Sequence, residues 1–223
     1  MATKLIVFDW DGTLMDSAAR IVNCMHAAVA DVGLPTRQDA QIRNIIGLGL
    51  RESVSTLFPG LSEADYAALV ARYRVHYLEL NQTPSELFDG TAELIDALLE
   101  LGFFLAVATG KGRQGLERVL QETGLKSAFH ATRCADEAFS KPHPQMLLEL
   151  MDELGQDPSE TLMVGDTEYD IQMAHNAGAQ ALAVSYGAHD KQRLLDLNPL
   201  ACVDDMGQLS QCLLDIPGIR NAS

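Results

Sequence analysis

The sequence predicts an α/β fold: a Rossmann-like, doubly wound parallel sheet core with an inserted α-helical cap domain. Three observations carry that expectation. Short apolar runs recur along the chain, each bounded by turn residues, as strands buried on both faces do. Amphipathic stretches at helical spacing separate these runs and end on glycines. The first separation, from Phe8 to Phe103, is roughly ninety residues long, far beyond the dozen or so that one crossover helix needs.

Taken in order, Leu5–Phe8 is the first strand, four apolar residues running into Asp9. Ile21, Met25, Ala28 and Val32 then form one apolar stripe, which Gly33-Leu34-Pro35 stops. Thr36 with Asp39 resembles a capping box with Asp in place of Glu, opening a short helix to Ile46. Ser62 with Asp65 repeats the device, Leu61 and Tyr66 are placed to staple it, and that helix extends to about Leu80. Residues 81–85 read as a linker. Further strands are expected at 103–108, 129–133, 162–164 and 181–184. Gly102, Gly124, Gly155 and Gly178 each follow a helical stretch, as a left-handed cap residue does. Residues 1–15 and 86–223 are therefore assigned to the sheet core and residues 16–85 to the helical cap.

Composition bounds what such a chain can do. An apolar fraction of 47% and a charged fraction of 21% over 223 residues suit a sizeable buried core. Sixteen Lys and Arg against 31 Asp and Glu leave a net charge of −15. That balance argues against nucleic acid as a partner, since phosphate backbones require clustered cations. It leaves room for a small anion held with a bound cation. Cys24, Cys134, Cys202 and Cys212 lie far apart with no CxxC, as free thiols in a reducing cytoplasm would. The opening apolar run is too short for a signal peptide, and no stretch reaches the length of a membrane span.

The chemistry concentrates at strand ends. In an open parallel sheet, ligands bind outside the carboxyl ends of the strands. The first strand ends in Asp9-Trp10-Asp11-Gly12-Thr13, two carboxylates one residue apart beside a turn whose N–H groups suit a phosphate. The second ends in Thr109-Gly110-Lys111. A fourth ends in Gly165-Asp166-Thr167, with Asp170 four residues past Asp166 on one helical face. Between them stands Ser140-Lys141-Pro142. The set supplies carboxylates for Mg²⁺, a hydroxyl and a lysine for phosphate oxygens, and a spare carboxylate for proton transfer. Any one of these signals alone reads as a turn, a cap or a surface lysine; four in one order, each at a strand end or helix start, do not.

In that order the motifs resemble the four of the haloacid dehalogenase superfamily, and the long insertion resembles its helical cap. The layout is most similar to the phosphoglycolate phosphatase branch. The resemblance implies Asp9 as the nucleophile that forms an aspartyl-phosphate, and Asp11 as the acid and base. It implies Mg²⁺ held by Asp9, the carbonyl of Asp11 and Asp166. Thr109 and the Gly110 N–H would bind the phosphoryl group, Lys141 would offset its charge, and Asp170 would orient Lys141 or a metal-bound water. Arg51, after Gly47-Leu48-Gly49-Leu50, would reach a substrate carboxylate from the cap.

Three features narrow the reaction. Dehalogenases of the superfamily lack the second aspartate that Asp11 supplies. Residues 16–85 contain no lysine for a Schiff base. Ile21 stands where β-phosphoglucomutases carry a histidine. The expected function is Mg²⁺-dependent hydrolysis of a small phosphorylated metabolite, phosphoglycolate or similar, by a cytoplasmic monomer or homodimer. A sugar phosphomutase, and a pyrophosphatase or nucleotidase on the same core, are the alternatives; a non-catalytic binding protein would have lost Asp9, Asp11 or Lys141. Trp10 is expected to pack under the cap hinge, His143 to sit at a helix start, and Cys134 and Cys202 to be core thiols. Arg43, Arg72, Arg74, His26 and His76 are cap residues with weaker claims on substrate.

Overall fold

The structure, a computed structural model, describes residues 3–216. The outer ends of the core assignment, residues 1–2 and 217–223, lie outside the described residues. Strand β1 (Leu5–Phe8) leads to a two-residue strand, β2 (Met15–Asp16), and then to helices α1 (Ala18–Val32), α2 (Asp39–Arg43), α3 (Leu50–Leu57) and α4 (Glu63–Val75). Helix α4 passes into a π-helical turn, His76–Leu80, and the chain returns through β3 (Glu86–Leu87), antiparallel to β2. There follow α5 (Thr91–Glu100), β4 (Phe104–Thr109), α6 (Arg113–Thr123), β5 (Ala131–Cys134), α7 (Gln145–Leu154) and β6 (Thr161–Gly165). The last elements are α8 (Glu168–Asn176), β7 (Gln180–Val184), α9 (Lys191–Leu195), β8 (Ala201–Val203) and α10 (Met206–Leu214).

Six strands pair in the order β5-β4-β1-β6-β7-β8, all parallel. Numbered along the sheet alone, this is the doubly wound order 3-2-1-4-5-6, whose direction reverses between β1 and β6. The period-two alternation of each strand feeds two cores. Ile6, Phe8, Leu105, Val107, Leu162 and Val164 pack on one face. Leu5, Val7, Ala106, Ala108 and Met163 pack on the other with α7 and α8. A separate apolar cluster, including Val22, Met25, Ala28, Ile42 and Leu69, joins α1, α2, α3 and α4.

Sequence expectations and structure differ at several boundaries. Helix α2 is capped by Gln38 with Gln41, whose side-chain oxygen accepts from the Gln38 N–H at 2.9 Å, not by Thr36 with Asp39. Asp39 instead holds His26 at 2.7 Å, and α2 ends at Arg43, three residues before the expected Ile46. The Ser62 cap is present: its hydroxyl accepts from the Asp65 N–H at 3.1 Å. The expected strand at 129–133 is β5, shifted toward Cys134. Strand β8 gives no sequence signal, being three residues long and only partly buried at the sheet edge. Helix α10 carried a readable start, Asp205 accepting from the Gln208 N–H at 2.8 Å, followed by Leu209 and Leu213 on one buried face.

Trp10 is fully buried, edge-on to Phe129, with its indole N–H 3.3 Å from the Met15 sulfur in β2. It thus packs against the paired strands through which the chain enters and leaves its helical segment. The His143 ring nitrogen accepts the Gln145 N–H at 3.2 Å, at the start of α7. The four cysteines are unpaired; Cys134 is buried in the core and Cys202 is half-buried.

Candidate active site

The switch point between β1 and β6 puts two carboxylates side by side. Asp9 follows β1 and Asp166 follows β6, and both are fully buried. Asp170, in the first turn of α8, joins them, and the three carboxylates present oxygens within 4.8 Å of one another. The loop after β1 closes over this cluster. Gly12 has φ +83°, and a Cβ there would stand 2.2 Å from Asp166 Oδ2, so both the turn and the close approach require glycine. Thr13 donates to Asp166 Oδ1 at 2.9 Å and the Ala188 N–H donates to Oδ2 at 2.7 Å.

Lys141 is buried between Asp9 and Asp170. Its Nζ lies 2.9 Å from Asp9 Oδ1 and 2.6 Å from Asp170 Oδ1. Asp170 Oδ2 accepts from the Thr167 N–H and hydroxyl, at 3.1 and 2.7 Å. Asp170 is thereby fully partnered, and Asp9 is not. Lys141 meets Asp9 through Oδ1 alone, and Asp9 Oδ2 has no partner among the described residues. Burial pushes the Asp9 carboxyl up to about 7; Lys141 opposes the rise, and Asp170 and Asp11 add to it. Burial, then Asp9 and Asp170, likewise push Asp166 well up. Burial alone would lower Lys141, but Asp170 and Asp9 outweigh it and hold the ammonium form.

Asp11 has a different set of partners. Ser17 donates to its Oδ1 at 2.5 Å, and Lys111 Nζ lies 2.8 Å from the same oxygen. Lys111 also donates to the Tyr77 hydroxyl at 2.5 Å. Its burial would lower its pKa, but Asp11 and Tyr77 reverse the shift. Neither Lys111 nor Tyr77 was assigned a role from sequence. Lys111 stood in the quoted Thr-Gly-Lys run, yet its partner Tyr77 lies 34 residues earlier. Thr109 is fully buried and accepts the Lys111 N–H at 3.2 Å, which leaves its own hydroxyl hydrogen to donate.

Asp9, Asp11 and Gly110 line a cavity of about 200 Å³. Its far wall comes from the helical segment: Ile21, Met25, Ile45, Ile46, Leu50 and Tyr73. The same segment grips the core beside this cavity. A Cβ on Gly110 would lie 2.6 Å from the carbonyls of both Gly47 and Leu48, and the Gly49 N–H donates to Ser140 Oγ at 2.8 Å. Just before this loop, the Asn44 carbonyl accepts from Tyr169 at 2.9 Å. His189 Nδ1 accepts the Glu168 N–H, so its Nε2 carries the proton and faces the same Asn44 carbonyl at 3.2 Å. Arg193 donates to Asn44 Oδ1 at 2.5 Å.

Arg51 is not brought to this site. It lies on the surface, bound to Glu63 at 2.8 Å and stacked over Tyr66, and it is absent from the cavity wall. The pairing across the turn from α3 to α4 outcompetes the expected reach toward substrate. Arg72 and His76 both hold Asp31. Of the weaker cap candidates, Arg74 alone lines the cavity.

The model of the haloacid dehalogenase-like hydrolases matches residues 6–184. The chain belongs to that family. A curated relative, a probable phosphatase IndB of Dickeya dadantii (strain 3937), is 35% identical over 92% of this chain and 91% of its own. A phosphoglycolate phosphatase of Agrobacterium fabrum (strain C58) is 32% identical over 96% of this chain and 93% of its own. The crystal structure of a predicted phosphoglycolate phosphatase from Haemophilus somnus 129PT superposes with a TM-score of 0.82 at 26% identity, over 95% of this chain and 98% of that one. The chain is a phosphatase-type member of the haloacid dehalogenase-like hydrolases, built on their Rossmann-like core. Among the described residues, no helix is long and apolar enough to cross a membrane.

Proposed function

We propose that this hydrolase removes the phosphoryl group from a small phosphate monoester, with Mg²⁺, through an aspartyl-phosphate on Asp9. The observation that carries the reading is the Asp9 carboxylate: fully buried, at the switch point, paired with Lys141 through Oδ1 and with Oδ2 unpartnered among the described residues. A buried carboxylate oxygen left in that state is costly unless a further cation or a reacting group meets it. The donor set fits Mg²⁺, a hard cation that takes oxygen ligands. Asp9, Asp166 and the Asp11 carbonyl would hold it, where its charge keeps Asp9 ionised and draws density from the phosphoryl oxygens.

The chain's own groups supply the remaining chemistry. Asp9 attacks phosphorus as the bond to the leaving oxygen breaks, and Asp11 gives that oxygen a proton. Asp11 then takes a proton from the water that cleaves the aspartyl-phosphate, which restores Asp9 and releases phosphate. The Thr109 hydroxyl and Gly110 N–H bind phosphoryl oxygens, and Lys141 offsets their charge. Asp170, tied to Lys141 and to the start of α8, keeps that lysine beside Asp9. Residues 16–85 act as a cap that selects the substrate, with residues 1–15 and 86–223 as the core. Phosphoglycolate is the first small monoester to consider, given the named activity of the Agrobacterium relative. The free cysteines favour a cytoplasmic setting. Ile21 on the cavity wall leaves no basic group at that point and favours hydrolysis over a mutase reaction.

Hydrolysis of p-nitrophenyl phosphate, with and without Mg²⁺, by wild type and Asp9→Asn tests the reading. Activity in Mg²⁺ only, abolished by Asp9→Asn with melting temperature kept, is the expected result. Near-normal turnover by Asp9→Asn would reject the nucleophile.

A further inference from the structure

The part of the cavity wall supplied by α1 and the α2–α3 region is largely hydrocarbon, and Lys111, the cation nearest Asp11, is already matched. Ile21, Ile45, Ile46 and Met25 are buried side chains of the α1 and α2 region, and Leu50 and Tyr73 complete that face. Two cations border the cavity. Lys111 is the nearer to the reacting groups, and it is paired with Asp11 and Tyr77. Arg74 lies in the last turn of α4 and is exposed at the mouth. Arg51, the cap arginine expected from sequence to reach a substrate carboxylate, pairs with Glu63 on the surface and lies off the cavity wall. A carboxylate on the carbon next to the ester oxygen would thus lie against Ile and Met side chains, beside the Asp9 and Asp11 carboxylates. An unpaired charge in such a place is strongly disfavoured, whereas an apolar body gains by leaving water.

We infer that the preferred substrate of this site is a phosphate monoester whose alcohol part is an uncharged, hydrocarbon-rich ring or branched chain, in preference to phosphoglycolate. The inference rests on the phosphatase reading above and narrows it. The phosphoryl group sits against Asp9, Thr109, Gly110 and Lys141, and the alcohol part fills the 200 Å³ under the cap. Hydrocarbon contact discriminates by about ten- to two-hundredfold per methylene in a fitted pocket, so a ring of several carbons is selected well.

The test compares kcat/KM for benzyl phosphate and for 2-phosphoglycolate in saturating Mg²⁺; both have alkyl leaving oxygens, so leaving-group chemistry does not decide the outcome. Wild type is expected to favour benzyl phosphate by about tenfold or more. Leu50→Lys, a half-buried position at the start of α3, places a cation on the apolar wall and is expected to lower that ratio by about tenfold or more. Arg74→Ala is expected to change both substrates by a similar factor. Preference of the wild type for phosphoglycolate, or a selective collapse of phosphoglycolate turnover in Arg74→Ala, would overturn this inference and leave the phosphatase reading intact. Hydrolysis of neither ester by the folded, Mg²⁺-loaded chain would overturn both. A ratio unchanged in Leu50→Lys, with the melting temperature kept, would show that the wall does not touch the alcohol part, and would also overturn it.

Discussion

Asp9 illustrates how one residue couples chemistry to stability. Its carboxyl sits at about 7, against an ordinary value of 3.8, because burial penalises the charge. The metal-free folded chain therefore holds a proton that the unfolded chain has released between those two values. Stability from this group falls as pH rises through that window, since the folded state binds more protons. In EDTA, the melting temperature of wild type should drop relative to Asp9→Asn as pH rises from about 4 to about 7. Mg²⁺ should close the gap by stabilising the ionised wild-type site, by about 2.7 kcal/mol at a hundred times its dissociation constant. Melts of the two proteins in EDTA across that range check this; a difference that is flat with pH would contradict it. At this scale the sequence was legible where a side chain stands at a strand end or at the helix start beside it. Asp9, Asp166 and Asp170 met as the motif order implied. It was illegible where a partner arrives from another element: Lys111 needs Tyr77, and Arg51 is captured by Glu63.

At the scale of elements, the loop between α2 and α3 governs the site. Three core side chains, Tyr169, His189 and Arg193, hold Asn44 at its entrance, and Gly110 lies directly under the Gly47 and Leu48 carbonyls. The His189 backbone N–H also meets the Asp166 carbonyl at 3.4 Å, beside the acidic cluster. Gly110→Ala keeps the backbone N–H that would bind phosphate but adds a Cβ 2.6 Å from the Gly47 and Leu48 carbonyls of the helical segment. The loop between α2 and α3 must then retreat. The variant should lose about a hundredfold in kcat/KM, as a displacement near 1 Å costs in other sites. Its fold should survive, because the change falls at an interface between segments and leaves both cores untouched. Steady-state rates beside a thermal melt check this, and wild-type kinetics would show that the close approach has no catalytic consequence. The glycines of this loop, in the Gly47-Leu48-Gly49-Leu50 run, were visible in the sequence. What they approach was not, because Gly110 stands more than sixty positions further along the chain. The misplaced cap at Thr36 has a similar origin: Asp39 is drawn to His26, on the neighbouring helix α1.

At the scale of the whole molecule, the order of six parallel strands explains why the acidic cluster lies where it does. A doubly wound sheet opens a crevice where its strand order reverses, and here that point separates β1 from β6. The two strand-end aspartates fall there by topology alone. The apolar runs made most of this sheet readable. The edge strand β8 and the pair β2 and β3 were not, since three- and two-residue segments carry no period. The net charge of −15 gives the molecule no general attraction for anions. On the proposed reading, phosphate recognition is therefore local, through Lys141, backbone N–H groups and a bound cation. All of this depends on Asp9 forming a covalent bond to phosphorus. The direct measurement is rapid acid quench of the Mg²⁺-loaded chain with a turning-over phosphate monoester, followed by peptide mass analysis. Asp11→Asn is included because slower hydrolysis of the intermediate should make it accumulate. A phosphoryl adduct on the peptide containing Asp9, stronger in Asp11→Asn and absent in Asp9→Asn, is the predicted result. Steady turnover with no adduct on Asp9 at any quench time, together with hydrolysis by Asp9→Asn, would contradict it.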